Sequence, residues 1–123
     1  MSTKPVLEPG PDHPITVEPT SARVTVNRDG RTIADTEHAL TLQEADYPAA
    51  QYIPFDDVDP SVLEATDHTT YCPYKGEANY YSLVVDGDVA ENAVWQYSTP
   101  HPAMERIAGH VAFYPDQVTI TTG

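Results

Sequence analysis

Apolar and polar residues alternate with a period of two along much of this chain, the spacing of strands that bury one face. Arg23-Val24-Thr25-Val26-Asn27 alternates, Asp29-Gly30 supplies a turn, and Arg31-Thr32-Ile33-Ala34-Asp35 resumes the pattern, which predicts a β-hairpin. Ala39-Leu40-Thr41-Leu42 and the shorter Gln51-Tyr52-Ile53 extend it into a meander across the first half. Between Phe55 and Glu64 the Asp-rich run with Pro60 predicts a loop with a single helical turn, capped by Asp59. The strongest local signal is Tyr80 to Val85, then Asp86-Gly87, then Asp88 to Trp95, two long strands around a type I′ turn. A short helix is expected from Pro102 to Ala108, stopped at Gly109. His110 to Tyr114 and Gln117 to Ile120 are expected to pair around Pro115-Asp116 as a last hairpin. The pattern as a whole predicts a mostly β, antiparallel, single-domain fold with one short helix near 102–108.

A two-residue turn at Asp86-Gly87 sets a register in which Leu83 faces Ala90, Ser82 faces Glu91 and Ala78 faces Trp95. One face of this hairpin then carries Ala78, Tyr80, Ser82, Val84, Val89, Glu91, Ala93 and Trp95. Glu91 among aromatics is a candidate general acid or base, since partial burial raises a carboxyl pKa, or a polar anchor for a ligand. The plainer expectation is that it hydrogen-bonds Ser82 or a neighbouring hydroxyl and only organises the sheet.

Residues 1–20 hold Pro5, Pro9, Pro11, Pro14 and Pro19, which fix φ and remove backbone donors, so they are expected to form an extended arm on a β domain covering 21–123. The chain's 123 residues suit one domain, and 19 acidic against 6 basic residues leave a formal charge of −13. That balance argues against nucleic acid and anionic membranes as partners, which need clustered Lys and Arg. It fits either a protein working in high salt or an ordinary acidic one. One cysteine allows no internal disulfide, and neither a signal-peptide pattern nor a long apolar run is visible, so a cytoplasmic location is expected.

Chemistry concentrates in Asp67-His68-Thr69-Thr70-Tyr71-Cys72-Pro73-Tyr74-Lys75-Gly76-Glu77-Ala78, which is expected to be a loop at the sheet's end because Pro73 and Gly76 interrupt regular structure. Cys72 has Lys75 three residues on and His68 four back, cations that would stabilise a thiolate, so Cys72, His68 and Glu91 are the candidate catalytic groups. A lone cysteine is more commonly packed as a small hydrophobe. No Cys-x-x-Cys, paired His spacing or phosphate-loop pattern is present, and neither metal nor cofactor is expected. Tyr71, Tyr74, Tyr80, Trp95 and Tyr97 can line a pocket for a flat ligand, with Lys75 meeting any negative charge on it. About half of such residues should simply fill the core.

The block from Asp67 to Gly76, together with Ala90-Glu91-Asn92-Ala93-Val94-Trp95-Gln96-Tyr97 and Ile107-Ala108-Gly109-His110-Val111-Ala112-Phe113-Tyr114-Pro115, resembles the DUF427 family over about Arg23 to Thr121. The resemblance implies a Mss4-like, or β-tent, architecture, whose members include zinc-bearing modules and methionine sulfoxide reductases. The Cys-x-x-Cys pairs of the zinc-bearing members are missing here. The family label has carried a nucleotidyltransferase name, but no paired carboxylates with a glycine-serine pattern for metal-bound nucleotide are found. The family brings no established functional residues. The leading expectation is therefore a small-molecule pocket between the 67–78 loop and the 78–97 hairpin. An enzyme using Cys72 as nucleophile or redox group and a protein-interaction module stay open beside it, as does the oligomeric state.

Overall fold

A computed structural model describes residues 4–123 as ten strands in two antiparallel sheets. The strands are β1 (Ile15–Pro19), β2 (Val24–Arg28), β3 (Arg31–Thr36), β4 (Leu40–Glu44), β5 (Ala50–Pro54), β6 (Leu63–Cys72), β7 (Gly76–Val85), β8 (Asp88–Gln96), β9 (His110–Phe113) and β10 (Thr119–Thr122). Seven form one sheet in the order β1-β4-β5-β9-β8-β7-β6, and three form the other in the order β10-β2-β3. Only short 3-10 turns interrupt them, at Phe55–Asp57, Pro60–Val62 and Pro102–Ile107. The mostly β, antiparallel reading holds. Asp59 caps the Pro60 turn as expected, its side chain accepting the Ser61 N–H at 3.0 Å.

The turns obey their sequences. Asp29 and Gly30, and again Asp86 and Gly87, both take positive φ, which a type I′ turn requires and an Asp-Gly pair tolerates. Long-range connectivity departs from the local reading in three places. The first half is not one meander, because β2 and β3 pair in the small sheet while β4 and β5 belong to the large one. Pro115-Asp116 does not close a hairpin either: β9 joins β5 and β8, whereas β10 crosses to pair with β2. The third is the expected loop from Asp67, which is the second half of β6 and leaves only Pro73, Tyr74 and Lys75 as a turn. Its Thr69-Thr70-Tyr71 run favours extended backbone, and as an outer strand it needs no apolar alternation to stay in the sheet.

Apolar burial falls into two clusters, one on each side of the large sheet. Val24, Val26 and Ile33 of the small sheet meet Ile53, Leu83, Val94 and Val111 of the large one in the first. Tyr52, Ala78, Tyr80, Tyr97 and Ala112 form the second with Met104 and Ile107 of the 3-10 turn. Adjacent Tyr52 and Ile53, 1% and 0% exposed, point into opposite clusters, which shows that β5 is covered on both faces.

The segment preceding β1 packs on the turn between β6 and β7 at the other end of the strand order. Leu7 donates its N–H to the Pro73 carbonyl at 2.9 Å, and the His13 ring stacks on Tyr74 at 4.1 Å. The first three residues of the Pro-rich arm lie outside those described. The rest turns back on itself at Pro11-Asp12, where Gly10 and His13 exchange backbone hydrogen bonds, and at Ile15–Pro19 it enters the sheet as an outer strand against β4, where prolines are tolerated.

The β7–β8 register begins as read, with Val85 opposite Asp88 and Leu83 opposite Ala90, and then slips. Tyr81 faces Val94 and Tyr80 faces Trp95, so β8 carries two extra residues opposite Ser82. Asn92 takes positive φ in this bulge and donates its N–H to Ser82 Oγ at 3.1 Å. A slip of two preserves alternation, so Tyr80 and Trp95 stay on one face. It also moves Trp95 from its expected place opposite Ala78 to one opposite Tyr80, and leaves Glu91 exposed on the bulge.

Candidate functional site

A cavity of about 520 Å³ opens on the second-cluster face of the large sheet. β7 and β8 supply Tyr80 and Trp95 as its floor, while β4, β5 and the loop joining them supply Leu42, Glu44, Tyr47, Gln51 and Tyr52 as one wall. Lys75, Tyr97, Tyr114 and Ile120 also line it, with Phe113 at its edge. The aromatic packing is specific. Trp95 meets Tyr52 edge-on at 6.3 Å and donates its indole N–H to the Tyr52 hydroxyl at 3.0 Å. On its other side the Tyr114 ring lies 4.7 Å away, tilted by 52°. The Tyr80 hydroxyl shares a hydrogen bond of 2.9 Å with Thr70 of β6.

One end of the cavity is charged and well covered. Glu44, at the end of β4, accepts hydrogen bonds from the Lys75 ammonium and, at 2.8 Å, from His13 Nε2, with side-chain exposures of 14%, 12% and 25% in that order. Burial alone would raise the Glu44 pKa, but the hydrogen bonds from Lys75 and His13 outweigh it and hold the carboxyl below its ordinary value. Burial pushes the Tyr52 and Tyr97 hydroxyls well above an ordinary phenol. Tyr114 is pushed up to about 12, first by burial and then by its neighbour Tyr80. These phenols therefore keep their protons at neutral pH.

Gly76 sets the position of Lys75. Its φ is +116°, and an added Cβ would lie 3.4 Å from the Thr99 carbonyl oxygen and 3.5 Å from the His101 nitrogen. Glycine is the residue that adopts this backbone without strain. Gly76→Ala is expected to destabilise the domain by about 1–2 kcal/mol, measurable by urea unfolding, whereas alanine at Gly10, which has open space around it and no positive φ, should change little.

Of the residues singled out in the sequence, the structure brings Lys75, Tyr80, Trp95 and Tyr97 to the cavity. Tyr71 and Tyr74 do not line it and instead anchor the N-terminal segment. Tyr71 donates to the Pro5 carbonyl at 2.6 Å and, having one proton, accepts from His101 Nε2 at 3.0 Å. Tyr74 stacks on His13. Cys72 is half-buried against the second cluster, and Lys75 directs its ammonium to Glu44. His68 is exposed, with its ring edge-on to Tyr80 at 4.6 Å. Glu91 is solvent-exposed and makes no bond to Ser82, so the expected partial burial among aromatics is overturned by the bulge. Among the described residues no group of three or more His, Cys, Asp or Glu is placed to hold a metal ion, and no helix is long and apolar enough to cross a membrane.

Glu44, Tyr52 and Tyr47 were missed as site residues. The available signal was the turn-rich Ala45-Asp46-Tyr47-Pro48 between two expected strands, which marks a hairpin tip carrying an acidic and an aromatic residue.

Two antiparallel sheets with a cavity rich in aromatic side chains define a class of small β domain, built with a single cysteine and, among the described residues, without long helices. The sequence profile of the domain of unknown function DUF427 matches residues 16–122, and the chain belongs to that family. No curated protein matches the sequence.

Proposed function

We propose that this domain binds a small, flat, largely apolar molecule in the cavity floored by Tyr80 and Trp95. The observation that carries the reading is an open cavity of about 520 Å³ whose walls are mainly apolar and rich in aromatic rings, with the charged lining residues Glu44 and Lys75 paired to each other. Pockets of this size and make-up suit ligands that stack on rings and orient through a few hydrogen bonds. The β4–β5 hairpin forms the wall that the sequence reading assigned to residues 67–78, of which Lys75 contributes. Its two antiparallel sheets are compatible with β-tent kinship. A formal charge of −13 supports a small-molecule partner over nucleic acid or an anionic membrane. A single cysteine suits a reducing cytoplasm.

The test is a fragment titration followed by ¹H–¹⁵N chemical shifts and by emission of Trp95, the only tryptophan. Planar heterocycles are expected to shift the Trp95 indole N–H and the Tyr52, Tyr97 and Tyr114 amides saturably. A library that leaves all of these unmoved while the protein is folded overturns the reading.

A further inference from the structure

The polar end of the cavity has its own chemical preference. Tyr97 is 7% exposed and lines the cavity, yet its hydroxyl makes no hydrogen bond to any described residue. Arg28 Nε is the one sealed side-chain polar atom without a partner among the described residues, so the equally unpartnered Tyr97 oxygen keeps access to open space, which is the cavity its ring lines. Tyr52 is in a related position. Its oxygen accepts the Trp95 indole N–H, but its own proton meets no acceptor among the described residues. Buried hydroxyls normally find partners, so two uncommitted O–H donors at one cavity mark the place of an incoming acceptor.

Charge narrows the choice further. Lys75 was expected to meet an anionic group, but its ammonium is paired with Glu44 at the same end, and the two together carry no net charge. Glu44 is in turn held by His13 as well as Lys75, leaving little of the carboxylate to accept from a ligand donor. Around them the chain carries 19 acidic against 6 basic residues, a field that repels anions.

We infer that the ligand is an uncharged planar molecule with a carbonyl-type acceptor on its edge, received by the Tyr97 hydroxyl and seconded by Tyr52. This rests on the small-molecule reading above.

Three probes of similar shape separate the possibilities: coumarin, neutral with a carbonyl acceptor; indole, neutral with a donor only; and 2-naphthoate, an anion. Their dissociation constants are measured by ¹H–¹⁵N titration against the wild-type protein and Tyr97→Phe. Coumarin is expected to bind about fivefold more tightly than indole, the effect of one net hydrogen bond. Tyr97→Phe should remove that advantage and leave indole unchanged, and 2-naphthoate should bind no better than indole. The variant removes a hydroxyl without a protein partner, so its melting temperature without ligand should equal or exceed that of wild type. A preference for 2-naphthoate, or coumarin binding unaffected by Tyr97→Phe, overturns the inference and leaves the pocket reading standing. Failure of all three probes to shift any cavity residue overturns the pocket reading and the inference with it. A clear drop in melting temperature shows that the hydroxyl has a structural partner, which also overturns the inference.

Discussion

Glu44→Ala is expected to cost about 3 kcal/mol of folding stability at neutral pH, because it strips a well-covered ammonium of its counter-ion. Lys75 keeps only 12% of its side-chain exposure, and its Nζ lies 5.9 Å from the centroid of the Tyr97 ring, a weaker partner than a carboxylate. The same substitution removes the acceptor of His13, whose ring also stacks on Tyr74, so the contact between the β6–β7 turn and the N-terminal segment loosens. Glu44→Gln keeps an acceptor and should cost less, about 1–2 kcal/mol. Adding Lys75→Met to Glu44→Gln should recover part of the loss, since the stranded charge is then gone. Urea unfolding of the four proteins checks the order. Linkage supplies a second readout with a definite sign. Glu44 has a folded pKa below its unfolded value of about 4.3, so its contribution is complete above that value and is lost as pH falls through the folded pKa. The gap between wild type and Glu44→Gln should therefore be widest near pH 7 and shrink steadily below about pH 4. A gap independent of pH would show that the carboxylate charge is not what holds the β6–β7 turn against β4.

Local chemistry was legible in the sequence and long-range pairing was not. Asp-Gly turns, the strand pattern on either side of them and the Asp59 cap all depend on neighbouring residues, and each appears where the sequence places it. Which sheet a strand joins depends on contacts far along the chain. Val24 and Val26 alternate in the same way whether their partner is β4 or β10, and only packing against Ile53 and Leu83 decides the matter. The same limit shaped the site. Tyr80 and Trp95 could be placed on one surface from a hairpin of known turn type, and both line the cavity. The other wall comes from Glu44 and Tyr52, at least 28 residues earlier in the chain, and no local pattern joins them to the hairpin. Glu91 failed for a different reason. Its assigned face assumed an unbroken ladder, and the two extra residues opposite Ser82 carry no strong mark beyond Asn92, a residue that tolerates positive φ.

The bulge that exposes Glu91 also makes Trp95 the centre of the site, and Trp95→Ala should weaken ligand binding by more than an order of magnitude. By moving Trp95 opposite Tyr80, the two-residue slip sets the indole between Tyr52 and Tyr114, in contact with both other ring walls of the cavity. Aromatic anchors at the middle of a pocket carry a disproportionate share of binding, and truncation of one commonly costs about 2 kcal/mol or more. For the coumarin probe that corresponds to roughly thirtyfold weaker binding. Stability should fall as well, by about 3 kcal/mol for an indole removed from partly buried surroundings, with the Tyr52 hydroxyl left without its donor. Because such a loss of stability can mimic a loss of binding, Trp95→Phe is the decisive comparison. Phenylalanine keeps a ring against Tyr80 and Tyr114 but gives Tyr52 nothing to accept, so stability should drop by only about 1 kcal/mol while coumarin binding survives within a few-fold of wild type. Titration by ¹H–¹⁵N shifts at a temperature where all three proteins remain folded reads binding apart from folding. Equal binding by wild type and Trp95→Ala would place the ligand elsewhere and reduce the aromatic cluster to core packing; loss in Trp95→Ala with retention in Trp95→Phe would identify the ring face as the surface on which the ligand stacks.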